Sequence, residues 1–555
     1  MYLQTFPITL LSVFFTLAAT TATQNEPHIF NAIHSSLRQW GSSLNHNGMS
    51  FFMASVPIGT QLYHGTPSAE VVQGMEWLAF EVEHALVFAR PMMRCCKEGE
   101  ELEEGMVRGC VRCGRGKEWA DTPPSPSALN HPHGRVRHEE DYLFPAHDQA
   151  PLHPSTPHAP SGYLHTYTPK HPLTLLYIDG LSAGKTSNGT LDTQDFLLLN
   201  LSLPDRGGPM GGELARARGL CDLASTLWEG KIDGVLRMEG GFEIILCDFE
   251  KSVERLDVIA ARPIEEKAGR RMLGDWEYIK AIASRYHGIG GGRVALDYDR
   301  FVSVFEYEGL DLWANDVVSD TPHPRLKNAS PEQLWQIRGE VTKMILNSGG
   351  KRQGRNWQEV ADMVVSRYSA PLHHLHTDEE VRGSRKAFAT SLNALLRPFI
   401  SASERNGTLE LERCISQHVP RLPVSPSQAP SLAHTTIHTI TSEICSVLIS
   451  ALDATTPFFL VEALVSTASP PPHALDLVDG LFDYLQWTAW KECGTCADEE
   501  VCFIPIWPMG SAENHKAPKC GDYEGVGNGY WGSYEPTDRR KPGGGEPPAG
   551  DEIKG

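Results

Sequence analysis

Gly234-Val-Leu-Arg-Met-Glu239-Gly240-Gly241-Phe242-Glu-Ile-Ile-Leu-Cys-Asp-Phe249 is the stretch that decides the fold. Two strand-like runs flank a Gly-Gly pair, which is a strong two-residue hairpin signal. Before it, Leu173-Thr-Leu-Leu-Tyr-Ile178 is a continuous apolar run of the kind buried in a sheet. After it, Val253 to Ala261 adds a further strand. Glu213 to Glu229 and Asp275 to Tyr286 read as helices. Nearer the start, Phe51 to Val56 is strand-like, Gly59-Thr60 turns, and Gln61 to His64 extends again. Glu76-Trp77-Leu-Ala-Phe80 and a short helix from Glu83 to Ala89 follow.

Beyond residue 330 the period becomes helical. Ser330-Pro-Glu-Gln333 is a capping sequence, behind which Leu334, Ile337, Val341, Met344 and Ile345 make one face. Asn356-Trp-Gln-Glu359 opens a second helix with Trp357, Val360, Val364 and Tyr368 aligned. The expected class is α+β. A mixed α/β part over 23–310 is followed by a mostly α-helical part over 311–492, a cysteine-containing segment over 493–533 and a disordered Pro/Gly tail over 534–555. Residues 95–160, first rich in Glu, Gly and Cys and then in Pro, Ser and His, cannot bury enough apolar surface to offset their ordering entropy. They read as a disordered insertion.

The chain has 555 residues and a formal charge of −20, from 49 basic and 69 acidic residues. That balance repels polyphosphate and argues against nucleic acid and anionic membrane as partners. Phe6 to Ala19 is nearly unbroken apolar sequence, too short for the about 20 residues a bilayer needs. With the small residues that follow, it reads as a signal peptide over 1–22, although Met1 to Thr5 carries no Lys or Arg. No later segment reads as long and apolar enough to cross a membrane. Twelve cysteines, an even number, agree with an oxidising compartment and a secreted or extracellular protein. Asn188-Gly-Thr and Asn406-Gly-Thr are the best glycan acceptors. Asn200, among leucines, and Asn328, just before Pro331, are weaker ones.

Asp179-Gly-Leu-Ser-Ala-Gly184-Lys185-Thr186 looks like a phosphate loop but has three residues between its glycines where four are needed, so it reads as an exposed glycine turn. The histidines from His131 to His171 are spread through a Pro-rich stretch without ligand spacing and read as solvated. His373, His374, His376 and Asp378 read as a surface cluster at a helix end. Cys493, Cys496, Cys502 and Cys520 could form a zinc site, but disulfides suit a secreted chain better. No metal is expected.

Pro57-Ile-Gly-Thr-Gln-Leu-Tyr63-His64-Gly65-Thr66, with Trp77, Phe80 and the short helix after them, resembles the start of the ADP-ribosyltransferase fold. In that fold a strand ends in His-Gly-Thr or His-Gly-Ser, and a later strand carries a glutamate, matched here by Glu243. The resemblance implies NAD as substrate, in a transferase or NAD glycohydrolase. Glu243 would stabilise oxocarbenium charge, and His64 would bind the nicotinamide ribose. Gly65 would meet the carboxamide, and Trp77 or Phe80 would pack on the ring, with Tyr63 and Thr66 completing the cofactor-binding segment. The family's middle tyrosine is absent. The whole chain, with Cys493-Gly-Thr-Cys496 and Cys502-Phe-Ile-Pro-Ile-Trp-Pro508, also looks like uncharacterised secreted proteins of filamentous fungi. Two rival classes stand beside this one. A glycoside hydrolase could draw on Asp179, Glu239, Glu243 and Asp248, though no spacing picks out a pair. A non-catalytic secreted or surface glycoprotein needs only leader, disulfides and glycans.

Overall fold

The computed structural model describes residues 25–90, 94–96, 110–112, 162–200, 212–261, 276–285, 288–313, 323–348, 354–419, 430–455, 468–522 and 530–531. The leader, most of the 95–160 stretch and the tail beyond 531 lie outside the described residues.

The strands are β1 (Ser50–Val56), β2 (Leu62–Thr66), β3 (Glu76–Ala79), β4 (Arg94–Cys96), β5 (Cys110–Arg112), β6 (Gly162–Pro169), β7 (Leu173–Ile178), β8 (Gly234–Glu239), β9 (Gly241–Leu246), β10 (Val253–Ala261), β11 (Ala295–Ser303), β12 (Val501–Phe503) and β13 (Lys519–Gly521). Nine of them make one sheet in the order β10-β6-β2-β3-β9-β8-β7-β1-β11. Neighbours run antiparallel except β7 and β8, which are parallel. The central β8 and β9 are buried at every position, which is why they read as continuous apolar runs rather than alternating ones. Their hairpin forms where the Gly-Gly pair placed it, with Glu239 paired to Gly241.

The helices are α1 (Glu26–Ser35), α2 (Gln39–Leu44), α3 (Val82–Phe88), α4 (Glu213–Ser225), α5 (Phe249–Ser252), α6 (Trp276–Arg285), α7 (Pro331–Leu346), α8 (Trp357–Thr377), α9 (Glu379–Gly383), α10 (Arg385–Leu396), α11 (Gly407–Ser416), α12 (Leu432–Thr455), α13 (Pro472–Leu485) and α14 (Ala512–Lys516). The mixed α/β part followed by mostly helical chain is therefore α+β, as its periodicities indicate. Ser330 and Gln333 close the expected capping box of α7, and the Asn356 side chain caps α8. Ile337, Val341, Met344 and Ile345 of α7, and Trp357, Val360, Val364 and Tyr368 of α8, are all buried.

One apolar core runs through both parts. The N-terminal α1 packs against α8 and α12 of the helical part, where Asn31 donates to the Leu485 carbonyl at 3.2 Å. One sequence expectation needs correction here. The 24-residue α12 is long and apolar enough to cross a membrane. In the fold it is a core helix, packed against α1, α10, α11 and α13 and tied to α11 by the Cys414–Cys445 disulfide.

Disulfides also join Cys221 to Cys247, Cys493 to Cys502 and Cys496 to Cys520. The last two hold the short β12–β13 ladder, so these four C-terminal cysteines are bridged, as the oxidising-compartment argument expects. His373, His374 and His376 lie in the last turns of α8, and Asp378 caps α9, also as expected. His165 departs from the solvated set. It is buried in β6, with Nε2 donating to the Ser68 carbonyl at 2.9 Å.

Candidate active site

The sheet register decides which sequence-predicted residues can act together. Tyr63 pairs with Ala79, Ala79 with Glu243, and Glu243 with Arg237. Residues paired in one row project to one face, so these four share a face and His64, next along β2, projects from the other. His64 and Glu243 therefore do not converge, although only β3 separates the strands that carry them.

His64 donates from Nδ1 to the Trp77 carbonyl at 2.7 Å and packs 5.7 Å from the Phe249 ring. Burial pulls its imidazole down to about 4, so it stays neutral. Gly65 lies beneath α3, where an added Cβ would fall 1.9 Å from the Ala85 carbonyl oxygen, leaving no room for a nicotinamide carboxamide. The Thr66 hydroxyl accepts from the Ser68 amide in a turn. Phe80 is buried under the Arg293 guanidinium. Trp77 is half-buried and supplies its carbonyl to His64. Tyr63 lines an open cleft of about 480 Å³ with Pro57–Gln61 and Gly291–Arg293. The site the resemblance implies is thus dispersed. Of its residues, Glu243 alone stands in a charged cluster.

That cluster occupies the Glu243 face. Hairpin β8–β9 contributes Arg237, Glu239 and Glu243. Helix α3 contributes His84, and α4 begins with Glu213. The loop after β7 contributes Lys185, whose turn is buried rather than exposed. Lys185 Nζ lies 2.8 Å from Glu239 and 3.7 Å from Glu213. Nε2 of His84 lies 3.4 Å from Glu239. One Nη of Arg237 donates to both Glu213 and Glu243, and the other donates to Gln194 at 2.8 Å. Behind them Arg216 forks onto Asp195 from one side. The turn of the hairpin admits α3 because Gly241 has φ 133° and no side chain. A Cβ there would meet His84 Nδ1 at 2.7 Å.

The electrostatics follow from burial and pairing. Burial pushes Glu239 up, but Lys185 and His84 outweigh it and hold the carboxylate at about 2. Glu213 is likewise held at about 2, against burial, by Arg237 and Lys185. Glu243 goes the other way, because burial, with Glu239 and Glu213 beside it, outweighs Arg237 and raises it. Burial opposes a charged His84, yet Glu239 and its neighbours raise it. Two fixed cations, Lys185 and Arg237, face three carboxylates, Glu213, Glu239 and Glu243. A buried cluster favours neutrality, so beyond the proton on Glu81, which burial raises to about 7 beside His84, it favours one more, on His84 or Glu243. Glu81 Oε1, His84 Nδ1, Glu213 Oε2, Arg237 Nε and Gln194 Nε2 are buried without a hydrogen-bond partner among the described residues. Each such group costs about 1–3 kcal/mol, so the cluster suits water or the polar groups of a ligand.

The other candidate carboxylates drop out. Asp179 accepts from the Ser50 amide at 2.8 Å and is pushed up to about 7 by burial, while Asp248 caps α5. Sequence spacing could not select Glu239 and Glu243. Only the tight glycine turn, which sets them across one hairpin, hinted that they would be neighbours. The glycan acceptors also separate. Asn188 Nδ2 donates to the Tyr530 carbonyl at 3.0 Å and Thr190 is buried, whereas Asn406 is exposed at the N-cap of α11. Asn200 is exposed rather than buried among its leucines. Peptide mapping of protein expressed through a secretory host is expected to find glycan on Asn406 and none on Asn188; the reverse occupancy would contradict this.

Residues 14–269 match the family model described as the YPL277C N-terminal domain, a span that contains every residue of the charged cluster. The chain is 24% identical over 562 residues to the uncharacterised protein YOR389W of Saccharomyces cerevisiae, covering 88% of this chain and 83% of that one. It is 30% identical over 243 residues to the uncharacterised protein YPL277C of the same yeast, covering 42% of each. No solved structure matches. The chain is therefore similar along most of its length to an uncharacterised yeast protein, and its cluster lies in the stretch that matches the YPL277C N-terminal domain.

Proposed function

We propose that this chain travels the secretory pathway and cleaves a glycosidic-type bond with Glu239 and Glu243. The observation that carries the reading is the opposite push on two carboxylates of one hairpin, which separates an ionised group from an acid. With the extra proton on Glu243 and His84 neutral, Glu243 gives that proton to the leaving atom as the glycosidic bond breaks. Glu239, held ionised by Lys185 and by its hydrogen bond to His84, forms a bond to the anomeric carbon. Water then attacks the anomeric carbon, the bond to Glu239 breaks to free the sugar, and the water's proton returns to Glu243. One donor atom each of His84, Glu239 and Glu243 lie within 4.8 Å of one another. Carboxyl oxygens that close leave no room for the about 6.5–9.5 Å spacing of inverting enzymes, so retention of configuration is expected. The leader-like start and the disulfides support the secretory route.

NAD stays in the substrate class because its nicotinamide–ribose link is an N-glycoside, but His64 plays no part in this version. A non-catalytic glycoprotein is the second reading, favoured by the small exposure of Glu239 and Glu243, 7% and 6%. The test is purified secreted protein offered O-glycosides and NAD, with release of aglycone or nicotinamide as readout. Glu239→Gln and Glu243→Gln are each expected to lower turnover by about 10²–10⁴-fold, the worth of a positioned acid or base. Wild-type protein inert to every substrate, or variants as active as wild type, would sink the reading.

A further inference from the structure

His46, His323 and His515 stand in the loop after α2, in the segment before α7 and on α14, and the fold brings them together beside Tyr530. Nε2 of His46 is 3.2 Å from Nε2 of His323. The Tyr530 hydroxyl is 2.7 Å from the first and 2.9 Å from the second. One ring nitrogen of each histidine lies within 4.8 Å of the others.

The outward nitrogens are occupied in a way that sets the tautomers. Asn47 Oδ1 accepts from His46 Nδ1 at 2.6 Å. The Asn47 amide cannot be reversed, because its Nδ2 donates to the carbonyls of Asn188 and Pro324 at 2.8 and 2.9 Å. The Leu44 carbonyl accepts from His515 Nε2 at 3.0 Å. His46 Nε2 and His515 Nδ1 are thereby left as lone pairs, and the latter is buried with no partner among the described residues. Two nitrogens at 2.0–2.1 Å from a tetrahedral zinc stand about 3.3–3.4 Å apart, close to the His46–His323 spacing. Ligand histidines whose other N–H is held by a carbonyl or amide oxygen have the outer support that metal sites use. Trp531, 4.9 Å from the His46 ring, walls the group with an aromatic side chain.

We infer that His46, His323 and His515 form a three-histidine centre for a divalent transition metal, with the Tyr530 hydroxyl at the fourth position. Imidazole donors without a carboxylate select zinc and its neighbours over magnesium and calcium. This departs from the expectation of a metal-free chain. That expectation weighed histidines close in sequence, whereas these ligands are 277 and 192 residues apart. Zinc has no rival place at Cys493, Cys496 and Cys520, whose sulfurs are in disulfides. The centre does not depend on the hydrolase reading, and its test does not use turnover.

The full secreted chain is stripped with chelator and titrated with zinc, and separately with cobalt, whose visible absorption reports nitrogen ligation. Metal content is measured by elemental analysis. One metal per chain is expected. Asn47→Ala should weaken binding by about 10–100-fold, the worth of an outer-shell partner. His323→Gln should weaken it more, and the exposed α12 histidine variant His438→Ala should bind as wild type. Circular dichroism and non-reducing peptide mapping verify that each variant is folded. If His46→Ala does not fold, the half-buried His323 carries the test. A chain that takes up neither metal, or a folded His323→Gln that binds zinc undiminished, overturns the proposal.

Discussion

Arg237→Ala is expected to lower the stability of the folded chain by about 3–5 kcal/mol, the usual result of removing one partner from a buried ion network. Arg237 is fully buried, and its guanidinium serves Glu213, Glu243 and Gln194 together. Without it, Glu213 loses its main counter-charge and Glu243 loses its guanidinium partner, in a site that water scarcely reaches. Urea unfolding followed by tryptophan fluorescence reads the loss. A triple variant, Arg237→Met with Glu213→Gln and Glu243→Gln, removes the stranded charges as well and is expected to recover most of it. Arg237→Ala unfolding within about 1 kcal/mol of wild type would show that the network is solvated rather than buried.

Glu81→Gln should make the chain more stable at pH 8 while leaving it nearly unchanged at pH 4. Burial raises the Glu81 carboxyl from its ordinary 4.5 to about 7, against the pull of His84 and the Phe242 amide. The folded state therefore holds a proton that the unfolded state gives up. The favourable term is whole below about 4.5, falls away as pH rises to about 7, and is lost above that. At about 1.4 kcal/mol per pH unit the window is worth on the order of 3 kcal/mol. Glutamine keeps an oxygen for the Phe242 amide, which Glu81 accepts at 2.8 Å, and carries no charge to bury. His64 acts in the opposite sense. Its imidazole is pulled down to about 4 by burial, so the stability it allows is complete above 6.5 and lost on acidification toward 4. Comparing wild type with Glu81→Gln across pH 4–8 isolates the first effect. Parallel stability curves for the two proteins would contradict it.

The elements were legible in the sequence because their signals are local. Gly240-Gly241 announced a hairpin, Ser330-Pro-Glu-Gln333 a helix start, and Val341 and Tyr368 lay on apolar faces with a helical period. The site was not legible, because it depends on register and on distant chain. Glu243 and His64 were both read as strand residues, but a step of one residue along β2 decides which face a side chain takes. Nothing near Glu243 in sequence points to His84 or Lys185, and the Lys185 turn, polar and next to a sequon, looked exposed. Its burial is completed by residues more than 300 positions later. The three histidines around Tyr530 show the same limit, since no short spacing marks ligands that only tertiary packing assembles.

The loop that carries Lys185 is closed over by the far end of the chain. Trp507 donates from its indole to the Lys185 carbonyl at 3.1 Å, with the Lys185 ammonium 5.2 Å from its ring, and the Thr186 hydroxyl donates to the Trp531 carbonyl. During synthesis the strands bearing Glu239 and Glu243 leave the ribosome hundreds of residues before either tryptophan exists. Until Trp507 and Trp531 have been made, a nascent chain lacks the indole and the carbonyl that cover the Lys185 loop. Closure of the Lys185 loop is thus coupled to synthesis of the segment that carries Trp507 and Trp531.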